Sequence, residues 1–186
     1  MERDEAIYKD DATPHKYHII FVMHTFLEKS RCKLDLGLVV DTTKSIKEEN
    51  IPKLKAALQQ LVSGFEISPQ GTHVSFETFA EESTLHNTFN NAAFHSEGAV
   101  LKLISSSINE LRQPTRLDRA LKTASEQMFS EENGIRHGVR KAMVLFTDGR
   151  SHPDTMDFHL DIIGMKVRTR GSGRGEFILR APTLIL

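Results

Sequence analysis

Residues 34–45 read LDLGLVVDTTKS, an apolar run with two adjacent valines that stops at Asp41 and gives way to Thr42, Thr43 and Ser45. Periodicity alone does not separate a buried strand from a buried helix. The shortness of the run, its β-branched residues and its abrupt polar end favour a central parallel strand. In open α/β sheets ligands bind just beyond the carboxyl ends of the strands. That rule puts Asp41, Thr42, Thr43 and Ser45 where binding or chemistry is expected, and the rest of the chain is read outward from them.

Downstream, Ile51, Leu54, Leu58, Leu61, Val62 and Phe65 recur at helical spacing, with Asn50 placed to cap the start, Pro52 in the first turn and Gly64 near the end. From Thr72 to Phe89 the pattern changes to alternation, broken at Glu81, Glu82 and Ser83. This predicts a hairpin whose second strand lies on a sheet edge. Helical spacing returns through Ala99, Val100, Leu103, Ile104, Ile108 and Leu111, and Pro114 is expected to end that helix. Another helix is expected from about Arg116, with Leu117, Ala120, Leu121, Ala124, Met128 and Phe129 on one face. After a loop marked by Gly134 and Gly138, residues 142–146, AMVLF, form a second apolar run that ends in Thr147, Asp148 and Gly149. Strands alternating with helices imply an α/β fold: a doubly wound, Rossmann-like, mostly parallel sheet with one antiparallel edge strand and helices on both faces.

The 186 residues, 39% of them hydrophobic, suffice for one domain with a sizeable core. Lys and Arg number 24 against 25 Asp and Glu, a balance that argues against a nucleic-acid partner. Cys32 is the sole cysteine, so an intrachain disulfide is excluded. The first 16 residues are polar and read as a loose arm, and residues 17–27 form either a strand or a short helix. That apolar stretch is interrupted by His18 and His24 and is too short to span a bilayer; no signal peptide is evident. Past residue 151, residues 154–163 can hold a short helix and 165–169 an edge strand, but the final segment has no clear period.

Two apolar strands thus end in Asp41 and Asp148, and Thr115 opens the helix before the second. Asp41-x-Thr43-x-Ser45 sets three oxygen side chains on one turn, a donor set suited to a hard divalent cation, Mg2+ or Mn2+. Two carboxylates balance the charge of the ion and neutral hydroxyls add none. An open coordination position then stays electrophilic enough to accept a carboxylate from a partner. The plainer reading of the turn is local chemistry, since Asp, Thr and Ser are favoured in caps and Asx-turns. Thr115 with Asp118 likewise has the form of a capping box. The nine histidines are scattered without an HExxH pattern, which argues against zinc.

Residues 33–151 resemble a von Willebrand factor type A domain, the module of matrilins, collagen VI and the integrin inserted domains. Asp41, Thr43 and Ser45 match the first motif of the metal-ion-dependent adhesion site, with threonine for one serine. Thr115 in PTRLDRAL matches its isolated threonine, and Asp148 in VLFTDGRS its late aspartate. The resemblance implies a non-enzymatic, metal-dependent adhesion domain in which Asp41, Thr43, Ser45, Thr115 and Asp148 hold Mg2+ or Mn2+. It also implies a protein partner that presents an exposed Asp or Glu, and an extracellular setting. Domain boundaries follow from it: an N-terminal arm over 1–30, the type A domain over 31–170, and an atypical tail over 171–186. Many members pair a cysteine before the first strand with one after the last helix; Cys32 has no such mate here. Gln113, Pro114 and Asp118 stand where small residues are usual, and past Ser151 the match fades, as in a domain truncated or completed by another route. The alternative from another class is a Mg-dependent phosphoryl-transfer enzyme of the haloacid-dehalogenase-like type with Asp41 as nucleophile. Thr43 then stands where those phosphatases place a general acid.

Overall fold

A computed structural model of the chain describes residues 33–109 and 111–147. Strand β1 (Leu34–Asp41) is the axis of the molecule, with every residue after Leu34 buried. It pairs in parallel with β2 (Thr72–Phe79) on one side and with β4 (Arg140–Phe146) on the other. The short β3 (Ser83–Asn87) runs antiparallel to β2 on the edge, giving the order β3-β2-β1-β4. The mostly parallel sheet with one antiparallel edge strand is therefore as the apolar runs and the alternation imply.

Helices cover both faces, which is why the central strands are apolar on both sides. On one face α1 (Ile51–Ser63) buries Leu54, Leu58, Leu61 and Val62, and α2 (Glu97–Ser107) buries Val100 and Ile104, against Leu36, Leu38, Val40, Val74 and Phe76. On the other, α3 (Leu117–Thr123) and the π-helical turn Ala124–Met128 pack Leu117, Ala120, Leu121, Ala124 and Met128 on Val39, Phe79, Met143 and Leu145. Each large side chain so buried contributes about 1.5–3 kcal/mol of transfer free energy. The approach over β1 is so close that a Cβ added at Gly37 would stand 2.5 Å from Met128 Sδ and 2.7 Å from Phe129 Cζ.

All eight residues of β2 are buried, because the polar side of the alternation (His73, Ser75, Glu77) lies on the face that α3 covers. Ser75 Oγ there donates to the Asn87 carbonyl at 2.8 Å. Two local expectations change. Helix α2 ends at Ser107, well before Pro114. Lys55 Nζ donates to the Ser105 carbonyl at 2.7 Å and the Asn109 amide donates to that of Ser106, satisfying the carbonyls of the last turn, while Ile108 turns into the core. Asn50 precedes α1 but makes no capping bond; its amide instead reaches back to the Ile46 carbonyl at 2.9 Å.

At the amino ends of the strands, Arg136 forms a clamp. Its Nε donates to Asp35 Oδ1 at 2.7 Å, its own main-chain N–H to Asp35 Oδ2 at 2.8 Å, and its remaining nitrogens to the carbonyls of Gly71 and Leu34. Gly134 and Gly138 flank this residue with φ of 86° and 73°, which a side chain resists. The arm over 1–30, Cys32, Asp148, the segments 154–163 and 165–169, and the tail over 171–186 lie outside the described residues.

Candidate metal centre

Asp41 is the last residue of β1 and is fully buried. Its Oδ1 accepts the Thr43 N–H at 2.9 Å, closing an Asx-turn, and its Oδ2 accepts the Thr147 hydroxyl at 2.9 Å. The turn brings Thr43 Oγ1 within 2.6 Å of Ser45 Oγ, so the two hydroxyls stand side by side. Thr43 is buried and Ser45 half-buried at the start of the 3-10 turn Lys44–Ile46. The local turn chemistry and the oxygen cluster are thus one structure: the Asx-turn is what groups the hydroxyls beside the carboxylate.

The segment carrying Thr115 is fastened to the same turn. Arg112 bridges to Thr43 in a parallel sense, its N–H donating to the Thr42 carbonyl at 3.0 Å and its carbonyl accepting from the Lys44 N–H at 2.9 Å. On the far side of Thr115, the Arg116 N–H donates to the Ala80 carbonyl at 2.8 Å, and Thr42 is itself tied to Phe79 through both its N–H and its hydroxyl. Three loops that follow β1, β2 and α2 are therefore laced together by main-chain bonds, with half-buried Thr115 held between two of the ties. Asp148 follows Thr147, which touches Asp41, but lies outside the described residues.

Thr115 does not cap α3. The helix begins at Leu117, Arg116 occupies the capping position, and no side-chain cap bond forms. Asp118 turns to Arg116, whose Nε and second terminal nitrogen donate to the two carboxylate oxygens at 3.0 and 2.7 Å. The fork matches the carboxylate geometry and offsets the extra negative charge beside the site.

Asp41, Thr43 and Ser45 supply oxygens only, from one carboxylate and neutral hydroxyls, and such a set fits a hard cation. Among the described residues no three His, Cys, Asp or Glu side chains come together as a metal-binding group, so a softer N or S site has no support there. Thr147 and Arg112 escaped the reading of the sequence. The signal for Thr147 was its place between the apolar run and Asp148; nothing local marked Arg112, whose ties to Thr42 and Lys44 run through its main chain.

A family model of the von Willebrand factor type A domain matches residues 35–168. The chain belongs to that family. The match runs beyond Ser151, where the motifs themselves fade. Matrilin-1 of Gallus gallus is 30% identical over 118 residues, covering 63% of this chain and 23% of that protein. Matrilin-4 of Homo sapiens is 30% identical over 131 residues, covering 67% and 21%. Integrin alpha-X of Mus musculus is 27% identical over 124 residues, covering 67% and 10%. This type A chain thus spans less than a quarter of the length of these relatives. Among solved structures, proximal thread matrix protein 1 from the mussel byssus superposes with a TM-score of 0.67 at 21% identity, over 81% of this chain and 40% of that one. A second structure of that protein, described as having a zinc-occupied MIDAS motif, gives a TM-score of 0.65 at 20% identity over the same shares. At such identity the likeness speaks for the shared fold.

Proposed function

We propose that this type A domain is an extracellular, non-enzymatic adhesion module that binds a partner protein through a divalent cation held by Asp41, Thr43, Ser45, Thr115 and Asp148. The observation that carries the reading is the Asx-turn at the end of β1, which sets the Thr43 and Ser45 hydroxyls 2.6 Å apart beside the Asp41 carboxylate. Membership of the family of matrilins and integrin alpha-X supports it. Mg2+ or Mn2+ suits the oxygen donors better than zinc does, although the mussel protein's site is described with zinc.

When bound, the cation supplies a positive centre with room for one more oxygen ligand. The chain's own residues do the rest: Thr147 fixes the Asp41 carboxylate, the Arg112 ties fix the loop of Thr115, and Arg116 restrains Asp118. An exposed Asp or Glu of the partner is the natural ligand for that position. Phosphoryl transfer through Asp41 has less in its favour, because Thr43 offers no general acid. Among the described residues no helix is long and apolar enough to cross a membrane.

The test is capture of proteins from an extracellular-matrix extract by the immobilised chain, with Mg2+ or with EDTA, followed by carboxylate-to-amide changes in whatever is retained. Capture that needs the metal and an acidic residue of the partner is expected. Capture that survives EDTA would move binding to another surface.

A further inference from the structure

At the end of the sheet remote from Asp41, two histidines lie face to face. His73 near the start of β2 and His95 from the loop after β3 have ring centroids 3.8 Å apart with 23° between their planes. His73 Nε2 meets the Pro69 carbonyl at 3.1 Å and His95 Nε2 meets the Phe89 carbonyl at 2.8 Å. A carbonyl only accepts, so in the neutral rings both Nε2 atoms carry the proton. His73 Nδ1 is buried with no hydrogen-bond partner among the described residues.

Three charged or titratable groups face His73: His95 from the loop, Arg136 from the segment before β4, and Asp35 from β1. Asp35 is its register partner on β1, yet both Asp35 oxygens are already engaged by Arg136. The site is thus arranged for a neutral His73 and has no free counter-charge for a protonated one.

We propose that the stacked His73 and His95 form an acid-sensitive latch, which holds residues 90–96 and the start of α2 on the sheet at neutral pH and releases them as the medium acidifies. A second proton on His73 creates a buried N–H with no acceptor and a cation pressed against the His95 ring on the side of Arg136. Burial above all holds the His73 pKa below its ordinary 6.5; the Pro69 carbonyl and the Asp35 charge pull the other way but do not cancel it, and Arg136 and His95 add to the lowering. In an opened loop His73 regains water and its ordinary affinity for protons. The open form therefore binds more protons, and the closed form loses ground as pH falls through about 6.5, levelling off below the closed-state pKa. His95 immediately precedes Ser96 at the start of α2, so the contact that breaks is the one anchoring that helix entry.

The test is amide hydrogen exchange on the full chain at about pH 7.5 and about pH 5.5, corrected for the intrinsic rate. Protection over 90–96 should fall, by up to roughly tenfold between these two pH values, while that of residues 51–63 of α1 does not fall. In His73→Gln the protection of 90–96 should no longer depend on pH. Unchanged wild-type protection over 90–96, or a dependence that persists in His73→Gln, would overturn the latch. Should that variant fail to fold, titration of the His73 ring by NMR in the wild type decides: a midpoint below 6.5 supports the latch, and one at or above 6.5 overturns it.

Discussion

The Arg112 N–H donates to the Thr42 carbonyl at 3.0 Å, and the Arg112 carbonyl accepts from Lys44 two residues further on. This tie is made by backbone alone, so it separates the role of the main chain from that of the guanidinium. Arg112→Pro removes the donor and should cost roughly 1–3 kcal/mol of stability, because the buried Thr42 carbonyl loses a partner. It should also weaken metal binding, whereas Arg112→Ala keeps the main-chain tie and should cost less on both counts. Denaturant unfolding and calorimetry on the two variants check this.

Thr147 positions Asp41 through one hydroxyl bond. Thr147→Val keeps the shape and deletes that bond, and hydrogen bonds to charged groups are worth about 1.5–3 kcal/mol. Metal affinity should therefore fall by roughly tenfold or more, and metal-free melting should fall too, because the buried Asp41 carboxylate loses a donor. An unaltered dissociation constant would remove Thr147 from the site.

Arg136→Met leaves the buried Asp35 carboxylate without its guanidinium partner, only the main-chain N–H of residue 136 still donating to it. Breaking a buried pair from one side costs about 3–5 kcal/mol. The double variant Asp35→Leu with Arg136→Met should recover much of the loss, since it removes both charges. Melting temperatures of the single and double variants test the claim.

Glu77 is buried on β2, one oxygen accepting from Ser83 and the other, Oε2, without a partner among the described residues. Burial raises its pKa from 4.5 to about 8, and the Ser83 bond only partly opposes this. The folded state therefore keeps the proton that the unfolded state releases. Stability from this group is full below pH 4.5, declines as pH rises, and reaches its floor at about pH 8. Glu77→Gln stays neutral throughout, so its melting temperature should fall less than the wild type's between about pH 5 and pH 8. Parallel slopes would show that Glu77 ionises as freely folded as unfolded.

Much of this architecture was legible from chemistry that repeats along the chain. The apolar runs before Asp41 and Asp148 announced strands covered on both faces, and the stripe through Leu54, Leu58 and Leu61 announced α1, because burial selects residue type at a fixed spacing. The burial of His73, Ser75 and Glu77 was hidden, since polar residues reveal a covered face only once their partners are known. The end of α2 was missed because side chains of Lys55 and Asn109, not a proline, satisfy its last carbonyls. Asp41, Thr43 and Ser45 were visible as a motif, whereas the support from Thr147 and Arg112 exists only after folding. The alternative of Thr115 as a cap is not realised, as Arg116 takes that place and pairs with Asp118.

The most direct test is the melting temperature of the full chain with and without Mg2+ or Mn2+. A ligand that binds only the folded state at about a hundred times its dissociation constant adds about 2.7 kcal/mol, which shifts melting by several degrees. Such a rise is expected for the wild type, and none for Thr43→Val combined with Asp41→Asn, compared with that variant's own metal-free melting. A folded wild-type protein whose melting temperature is the same at millimolar metal and in EDTA would contradict it.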